Sequence, residues 1–302
     1  MMLLRLEKDT VVVWLLLSIT AVALYSSYSW NVSSPFSRCG CPKCLGDSDP
    51  YFRELLTAAP EHFLSKHTIS EDIFKWWKGL QRERGNFTVY NTTLDSLFQI
   101  FSSPQDVAGH NPGRCLSCAV VGNSGSLKKS HYGPLIDLHD VVMRINRGQT
   151  KGFEADVGSK TTHHIFYPES AKKLDNSTQL VFVPFKIADL KWLCSKCTIF
   201  PPIVGIISLS KVRILNPAFI KYVHEEWLDK KGRYPSTGFL ILALSMQICD
   251  QVDVFGFGAD QNGNWHHYFE KKTSLKTGPH AGLHEYETIE RLDQKEKIKL
   301  FT

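Results

Sequence analysis

Apolar residues gather unevenly along this chain. From Cys118 onward they form short runs at 119–122, 141–145, 163–167, 180–185, 212–215 and 252–257, bounded by Asn, Gly, Pro or charged residues. Runs of this length without polar alternation predict strands buried on both faces. Between them lie segments of helical spacing: 187–197, then 217–230, which opens on Pro217, places Phe219, Ile220, Val223 and Trp227 on one face and has Gly232 just past its end, and the apolar run 238–249. Strands alternating with helices predict an α/β fold, a Rossmann-like sandwich with a mostly parallel central sheet. Upstream, the spacing of Phe63, Leu64, Ile69, Phe74, Trp76, Trp77 and Leu80 predicts helices over 61–80 with an aromatic face packed into the core. Residues 86–101 read as a glycosylation-prone loop followed by a short helix, and 285–301 as a charged helix leading into a strand at 298–301.

The N-terminal segment changes the picture. Residues 10–26 carry no charge and are mostly apolar, close to the ~17–20 residues a membrane helix needs. Arg5 and Lys8 precede them and no basic residue follows until Arg38, so the positive-inside bias predicts a cytoplasmic tail at 1–9, a transmembrane signal anchor at 10–26 and an exported remainder. The small residues of Ala21-Val22-Ala23 keep a cleaved signal peptide open as the alternative. Residues 27–50, rich in Ser, Pro, Gly and Cys, read as a Cys-rich stem, and 51–302 as one folded domain.

Export agrees with sequons beginning at Asn31, Asn86, Asn91 and Asn176. It also bears on the cysteines at 39, 41, 44, 115, 118, 194, 197 and 249: an even number in an oxidising compartment favours disulfides. A zinc site from Cys41-x2-Cys44 and Cys115-x2-Cys118 is the competing reading. The net charge of +5 is spread without basic blocks, which argues against a nucleic-acid surface and suits an anionic small molecule. Asp47-Ser48-Asp49 resembles the acidic motif with which many sugar-nucleotide transferases hold a metal. It lies in a turn-rich segment rather than at a strand end, so it reads as solvated turn residues and no catalytic metal is expected.

The candidate chemistry centres on 233–285. Ser236 and Thr237 before Gly238 and an apolar run predict a capped helix whose free N–H groups form an anion site. Gly256 and Gly258 let a ligand approach the end of the preceding strand. His267 and His280 follow, the second with Glu285 five positions on; an imidazole can take a proton near neutral pH and a carboxylate can orient it. His266 is set aside, because neighbours in an extended segment point to opposite sides. At the first strand's end, 123–126 forms a polar turn, Asn146 closes the second strand, and Gln81 ends the aromatic face.

The runs CAVVGNSG, DLHDVVMRIN, RYPSTGFLILALSMQICDQVDVFGFGAD, NWHHYFE and HAGLHE resemble, in order and spacing, the four sialyl motifs of animal sialyltransferases, over about residues 39–302. KWWKGLQRE, GFEADVGSKTTHHIFYPES, NPAFIKYV and GRYPSTG are most similar to the β-galactoside α-2,3-sialyltransferases that cap Galβ1-3GalNAc. The resemblance implies a single-pass type II Golgi membrane protein with a lumenal catalytic domain. It would transfer sialic acid from CMP-sialic acid to the 3-hydroxyl of terminal galactose in O-glycans or glycolipids, with inversion and without metal or other cofactor. By the same resemblance His280 is the general base and Glu285 supports it. His267 would contact the donor phosphate, Asn123, Asn146, Tyr234, Ser236, Thr237, Gly238 and Gly258 would bind the nucleotide and its sugar, and Gln81 would meet the acceptor. The implied disulfides are Cys39–Cys44, Cys41–Cys115 and Cys118–Cys249. The chain departs from its nearest type at Ser126, in a shorter segment between His267 and His280, and at Cys194 and Cys197, which read as an additional local disulfide near Phe200, with two free thiols as the alternative. Another galactoside or GalNAc acceptor, or a non-catalytic glycan-binding role, are the alternative functions.

Overall fold

The computed structural model describes residues 20, 41, 45, 49–101, 114–198, 209–259, 266–270 and 279–302, with backbone only for 197, 198 and 209. The chain divides into two compact units, 1–39 and 40–302. The expected tail at 1–9 and, apart from helical Thr20, the anchor at 10–26 lie outside the described residues, as does most of the stem at 27–50. Among the described residues no helix is long and apolar enough to cross a membrane.

The second unit is built on seven strands: β1 (Ser117–Val121), β2 (Val141–Ile145), β3 (His163–Phe166), β4 (Gln179–Phe182), β5 (Val212–Ile214), β6 (Gln251–Phe255) and β7 (Lys299–Phe301). They lie in the order β5-β4-β3-β2-β1-β6-β7, and every neighbouring pair is parallel. The chain steps outward from β1 to β5, then returns to pair β6 on the other side of β1. That reversal opens a crevice at the carboxyl ends of β1 and β6, where sheets of this kind bind ligands.

Alternate residues of β1 serve opposite faces, as the two-residue strand period requires. Cys118 and Val120 join the larger core, whereas Ala119 and Val121 join a smaller one with Leu127, Ile136, Val142, Val157, Phe255 and Tyr268. The Thr237–Ile248 helix packs across β1, β2, β3 and β6. Ten of its residues are buried, which explains why its sequence is apolar all round instead of striped.

The α/β expectation holds, and the strand predictions agree with the sheet to within one to three residues at each end. The upstream region is where the structure differs. Residues 61–70 are not an α-helix: Phe63 forms an antiparallel bridge with Leu215, the Leu64 N–H donates to the Ile214 carbonyl at 2.8 Å, and the α-helix spans only Glu71–Leu80. The apolar pair covers the edge beside β5, a tertiary demand that spacing alone does not reveal. Asn86 opens no loop; it accepts from the Val89 N–H and caps the 14-residue helix Phe87–Ile100. Trp77 is fully buried, its indole donating to the Pro184 carbonyl at 2.9 Å, while Trp76 is half-buried. The helix from Pro217 changes hydrogen-bond period at Tyr222 and continues as the π-helical turn Val223–Trp227.

Asp49 caps the Pro50–Thr57 helix by accepting from the Phe52 N–H, which gives this acidic residue a structural task. The disulfides Cys41–Cys115 and Cys118–Cys249 are formed. They consume three of the four thiols of the zinc alternative, which is thereby overturned. Cys39–Cys44 lies outside the described residues, and so does the side chain of Cys197 and with it the expected link to Cys194.

Candidate functional site

The crevice between β1 and β6 deepens into a cavity of about 410 Å³. Gln81, Asn123, Asn146, Tyr234, Ser236, Thr237, Gly238, Gly258, His267, His280 and Glu285 all line it. Residues separated by up to 204 positions in sequence thus converge on one site. Close backbone approach makes this possible: a Cβ at Gly122 would lie 2.3 Å from the Gly256 carbonyl oxygen, so a side chain there would push the ends of β1 and β6 apart.

One wall is the start of the Thr237–Ile248 helix. Ser236 caps it, accepting from the Phe239 N–H at 3.1 Å. The N–H groups of Thr237 and Gly238 belong to the first turn, where no intrahelical acceptor exists. They form the positive end of the helix dipole at the cavity. Glu285, on the Gly282–Gln294 helix, accepts from the Ser236 N–H at 2.7 Å and from its hydroxyl at 2.5 Å. Burial raises the Glu285 carboxyl above its usual range, against the Ser236 hydrogen bonds and the nearby His280 and His284, which favour its ionised form.

The Ser236 bonds also separate Glu285 from the task expected of it. The imidazole of His280 is oriented by a backbone group: its Nδ1 lies 3.0 Å from the Tyr234 carbonyl oxygen, and the Tyr234 ring meets it edge-on at 4.9 Å. A carbonyl only accepts, so Nδ1 carries a proton, and in the neutral ring Nε2 is the basic lone pair. The five-residue spacing from His280 to Glu285 suggested a direct pair; in the folded chain those residues straddle the start of a helix, whose direction carries the carboxylate to Ser236.

The opposite wall comes from β1 and β2. Asn123 is buried; its amide donates to the Ile145 carbonyl at 3.2 Å, and its Oδ1 has no partner among the described residues. Asn146 takes a left-handed backbone conformation, φ 53°. Its Oδ1 accepts from the Ser170 hydroxyl at 3.0 Å, and its carbonyl accepts from His164 Nε2 at 2.6 Å. Burial pushes His164 down to about 3, so this ring is a neutral donor. The two asparagines therefore offer the cavity complementary groups: an acceptor from Asn123 and amide hydrogens from Asn146.

His267 bridges to Ser124 across the mouth, stacks on Phe269, and has its Nδ1 3.1 Å from Glu270 Oε2. His266 lines the cavity as well, and its carbonyl accepts from the Gly125 N–H at 2.8 Å. Strand alternation therefore does not set it aside. Gly258 has φ 89°, and a Cβ there would come within 2.4 Å of the Tyr286 ring. Tyr286 was not singled out in the sequence, although it directly follows Glu285. Neither were Tyr167 and Phe185, which line the cavity from the ends of β3 and β4; each follows a strand in the sequence, the position at which cavity residues of a parallel sheet are found.

Gln81 caps the Glu71–Leu80 helix at the cavity edge, with Nε2 3.2 Å from the Tyr234 hydroxyl. Among the described residues no group of three or more His, Cys, Asp or Glu is placed to hold a metal ion.

The sequence profile of glycosyltransferase family 29 (sialyltransferase) matches residues 63–297. The CMP-N-acetylneuraminate-beta-galactosamide-alpha-2,3-sialyltransferase 1 of Sus scrofa is 42% identical over 297 residues, covering 93% of this chain and 86% of the relative. The enzyme of the same name from Mus musculus is 43% identical over 281 residues, 87% of this chain and 83% of the relative. A crystal structure of a mammalian sialyltransferase in complex with Gal-beta-1-3GalNAc-ortho-nitrophenol superimposes with a TM-score of 0.78 at 42% identity, covering 87% of this chain and 98% of that one. Both the residues around this cavity and the relatives of the chain lead to one conclusion: it belongs to glycosyltransferase family 29, the sialyltransferases.

Proposed function

We propose that this protein transfers sialic acid from CMP-sialic acid to the 3-hydroxyl of a terminal galactose, with Galβ1-3GalNAc glycans as the preferred acceptor and inversion at the anomeric carbon. The observation that carries this reading is the hydrogen bond from His280 Nδ1 to the Tyr234 carbonyl, which leaves Nε2 free to take the galactose proton. As the galactose oxygen forms its bond to the anomeric carbon, the bond from that carbon to the CMP phosphate oxygen breaks, and the electron pair leaves with CMP. The growing negative charge is met by the Thr237 and Gly238 N–H groups and by His267, donors aimed where charge develops. This reading gives the leaving group to backbone and imidazole donors and calls for no metal. Asn123 and Asn146 hold the nucleotide and Gln81 the acceptor. The relatives are named beta-galactosamide alpha-2,3-sialyltransferases, which supports both linkage and acceptor class. The same reading makes 10–26 the uncleaved anchor of a Golgi enzyme whose folded unit faces the lumen, on the strength of the charge bias around that segment.

The test is an assay of the full chain in mild detergent with CMP-sialic acid, EDTA and a panel of Galβ1-3GalNAc, Galβ1-4GlcNAc and lactose. Transfer chiefly to Galβ1-3GalNAc, with an α-2,3 product and no loss of rate in EDTA, is the expected result. Transfer to another acceptor would overturn the acceptor assignment. No transfer by protein that still binds CMP would overturn the catalytic reading.

A further inference from the structure

Gln81 has two polar faces, and both are occupied. On one side its Nε2 reaches the Tyr234 hydroxyl at 3.2 Å; on the other, Lys186 Nζ reaches its Oε1 at 3.3 Å. An ammonium has three donors and no acceptor, so the Gln81 atom facing Lys186 must be the carbonyl oxygen. The amide hydrogens then point to Tyr234, whose phenol oxygen accepts and whose own proton is left to donate into the cavity. The lysine thus sets the polarity of a chain that runs through Gln81 to the Tyr234 hydroxyl, and the ring that carries this hydroxyl lies edge-on to the imidazole of His280 at 4.9 Å.

Lys186 is itself held in place. Its Nζ lies 2.7 Å from Glu169 Oε1 and 3.3 Å from Asp189 Oδ1. Burial works against the ammonium charge, and the bond to Glu169 with the attraction of Asp189 outweighs it, so the lysine stays charged. Asp189, fully buried, also accepts from the Phe185 N–H at 2.8 Å and the Lys186 N–H at 3.2 Å. This fixes the corner after β4, where the Phe185 ring packs on Tyr234 at 5.0 Å. One corner of the chain therefore supports Tyr234 by packing and Gln81 by charge.

We propose that Lys186 is a positioning residue for the acceptor. It locks the Gln81 amide with its carbonyl outward, so that Gln81 and the Tyr234 hydroxyl both present hydrogens to a galactose hydroxyl that must accept them, a contact added to the donor-side role that the resemblance implies for Tyr234. The inference rests on the acceptor role given to Gln81 above. With a neutral residue at 186 the amide is free to turn over and offer its carbonyl to the Tyr234 hydroxyl; that proton would then be spent within the protein.

The test is steady-state kinetics of the full chain with CMP-sialic acid and Galβ1-3GalNAc. Lys186→Met should raise the acceptor KM about tenfold, as expected for a lost hydrogen bond to the ligand, with kcat and the donor KM within about twofold of the unsubstituted chain. Lys186→Arg, which keeps the charge and the donors, should recover most of the acceptor affinity. In a Gln81→Ala background Lys186→Met should add less than about twofold, because residues that act through one another are not additive. Lys186→Met/Asp189→Asn serves where loss of the cation beside Asp189 prevents folding, and should show the same acceptor-specific change. Effects of Lys186→Met and Gln81→Ala that multiply, or an equal rise in the donor KM, would overturn the proposal while leaving the function intact. Absence of transfer by the unsubstituted chain would overturn both.

Discussion

Glu285 accepts two hydrogen bonds from a single residue, Ser236, one from its backbone N–H and one from its hydroxyl. Ser236 in turn caps the helix whose first turn faces the cavity. A buried carboxylate thereby holds the proposed anion site in register with the helix that follows His280. Glu285→Ala should leave the Ser236 N–H without its partner and lower stability by about 1–3 kcal/mol, measured by denaturant unfolding, together with a rise in the donor KM. The folded-state carboxyl titrates above the unfolded one, so its contribution is fully present below the ordinary carboxyl value and falls as pH rises through the raised value. Glu285→Gln should flatten that part of the stability profile; an unchanged profile would contradict the assignment.

The two proposed reactive histidines should separate kinetically. His280→Ala should lower kcat by about 10²–10⁴-fold, the usual scale for loss of a general base, with CMP affinity nearly unchanged in calorimetry. His267→Ala should instead impair use of the donor. Full turnover in the first variant would remove His280 from the mechanism, and unchanged donor kinetics in the second would remove His267.

The Cys118–Cys249 disulfide ties β1 to the end of the helix that begins at Ser236. It closes a sequence separation of 131 residues. Replacing both cysteines with alanine should cost about 2–5 kcal/mol, seen as a lower midpoint in denaturant, and should weaken CMP binding because the two walls of the cavity are no longer linked. A midpoint equal to that of the unsubstituted chain would show that packing alone holds β1 and the helix together.

His139 and Asp253 form a buried pair, with Nε2 3.2 Å from Oδ2. Burial opposes the charge on His139, but the hydrogen bond and attraction of Asp253, together with the Leu135 and Ile136 carbonyls, outweigh it and raise the imidazole above its usual value. The stabilisation is fully present below histidine's ordinary value of about 6.5 and is lost as pH climbs through the raised folded value. Thermal stability should therefore decline over that interval, and Asp253→Asn should remove the decline. Persistence of the same slope in the variant would assign it to other groups.

Much of this could be read from local order in the chain. The short apolar runs located the strands because a parallel sheet covered on both faces has no polar side to interrupt them. Ser236 was recognisable as a cap because its hydrogen bond to Phe239 is made within one turn. The spacing of the sialyl motifs carried the resemblance to the family for the same reason, since each motif is a contiguous segment.

What the chain alone left undecided depends on contacts between distant segments. Phe63 and Leu64 have helical spacing, yet they cover an edge near Leu215 more than a hundred residues away. His280 was visible as a histidine, but its tautomer is set by the Tyr234 carbonyl, and Glu285, its nearest acidic neighbour in that motif, turns to Ser236. Lys186 carried no motif; its place is defined only when the corner after β4 meets Gln81. Periodicity reports which face of an element is buried, whereas the polarity of a site is settled by which donors and acceptors meet there, and only folding brings them together.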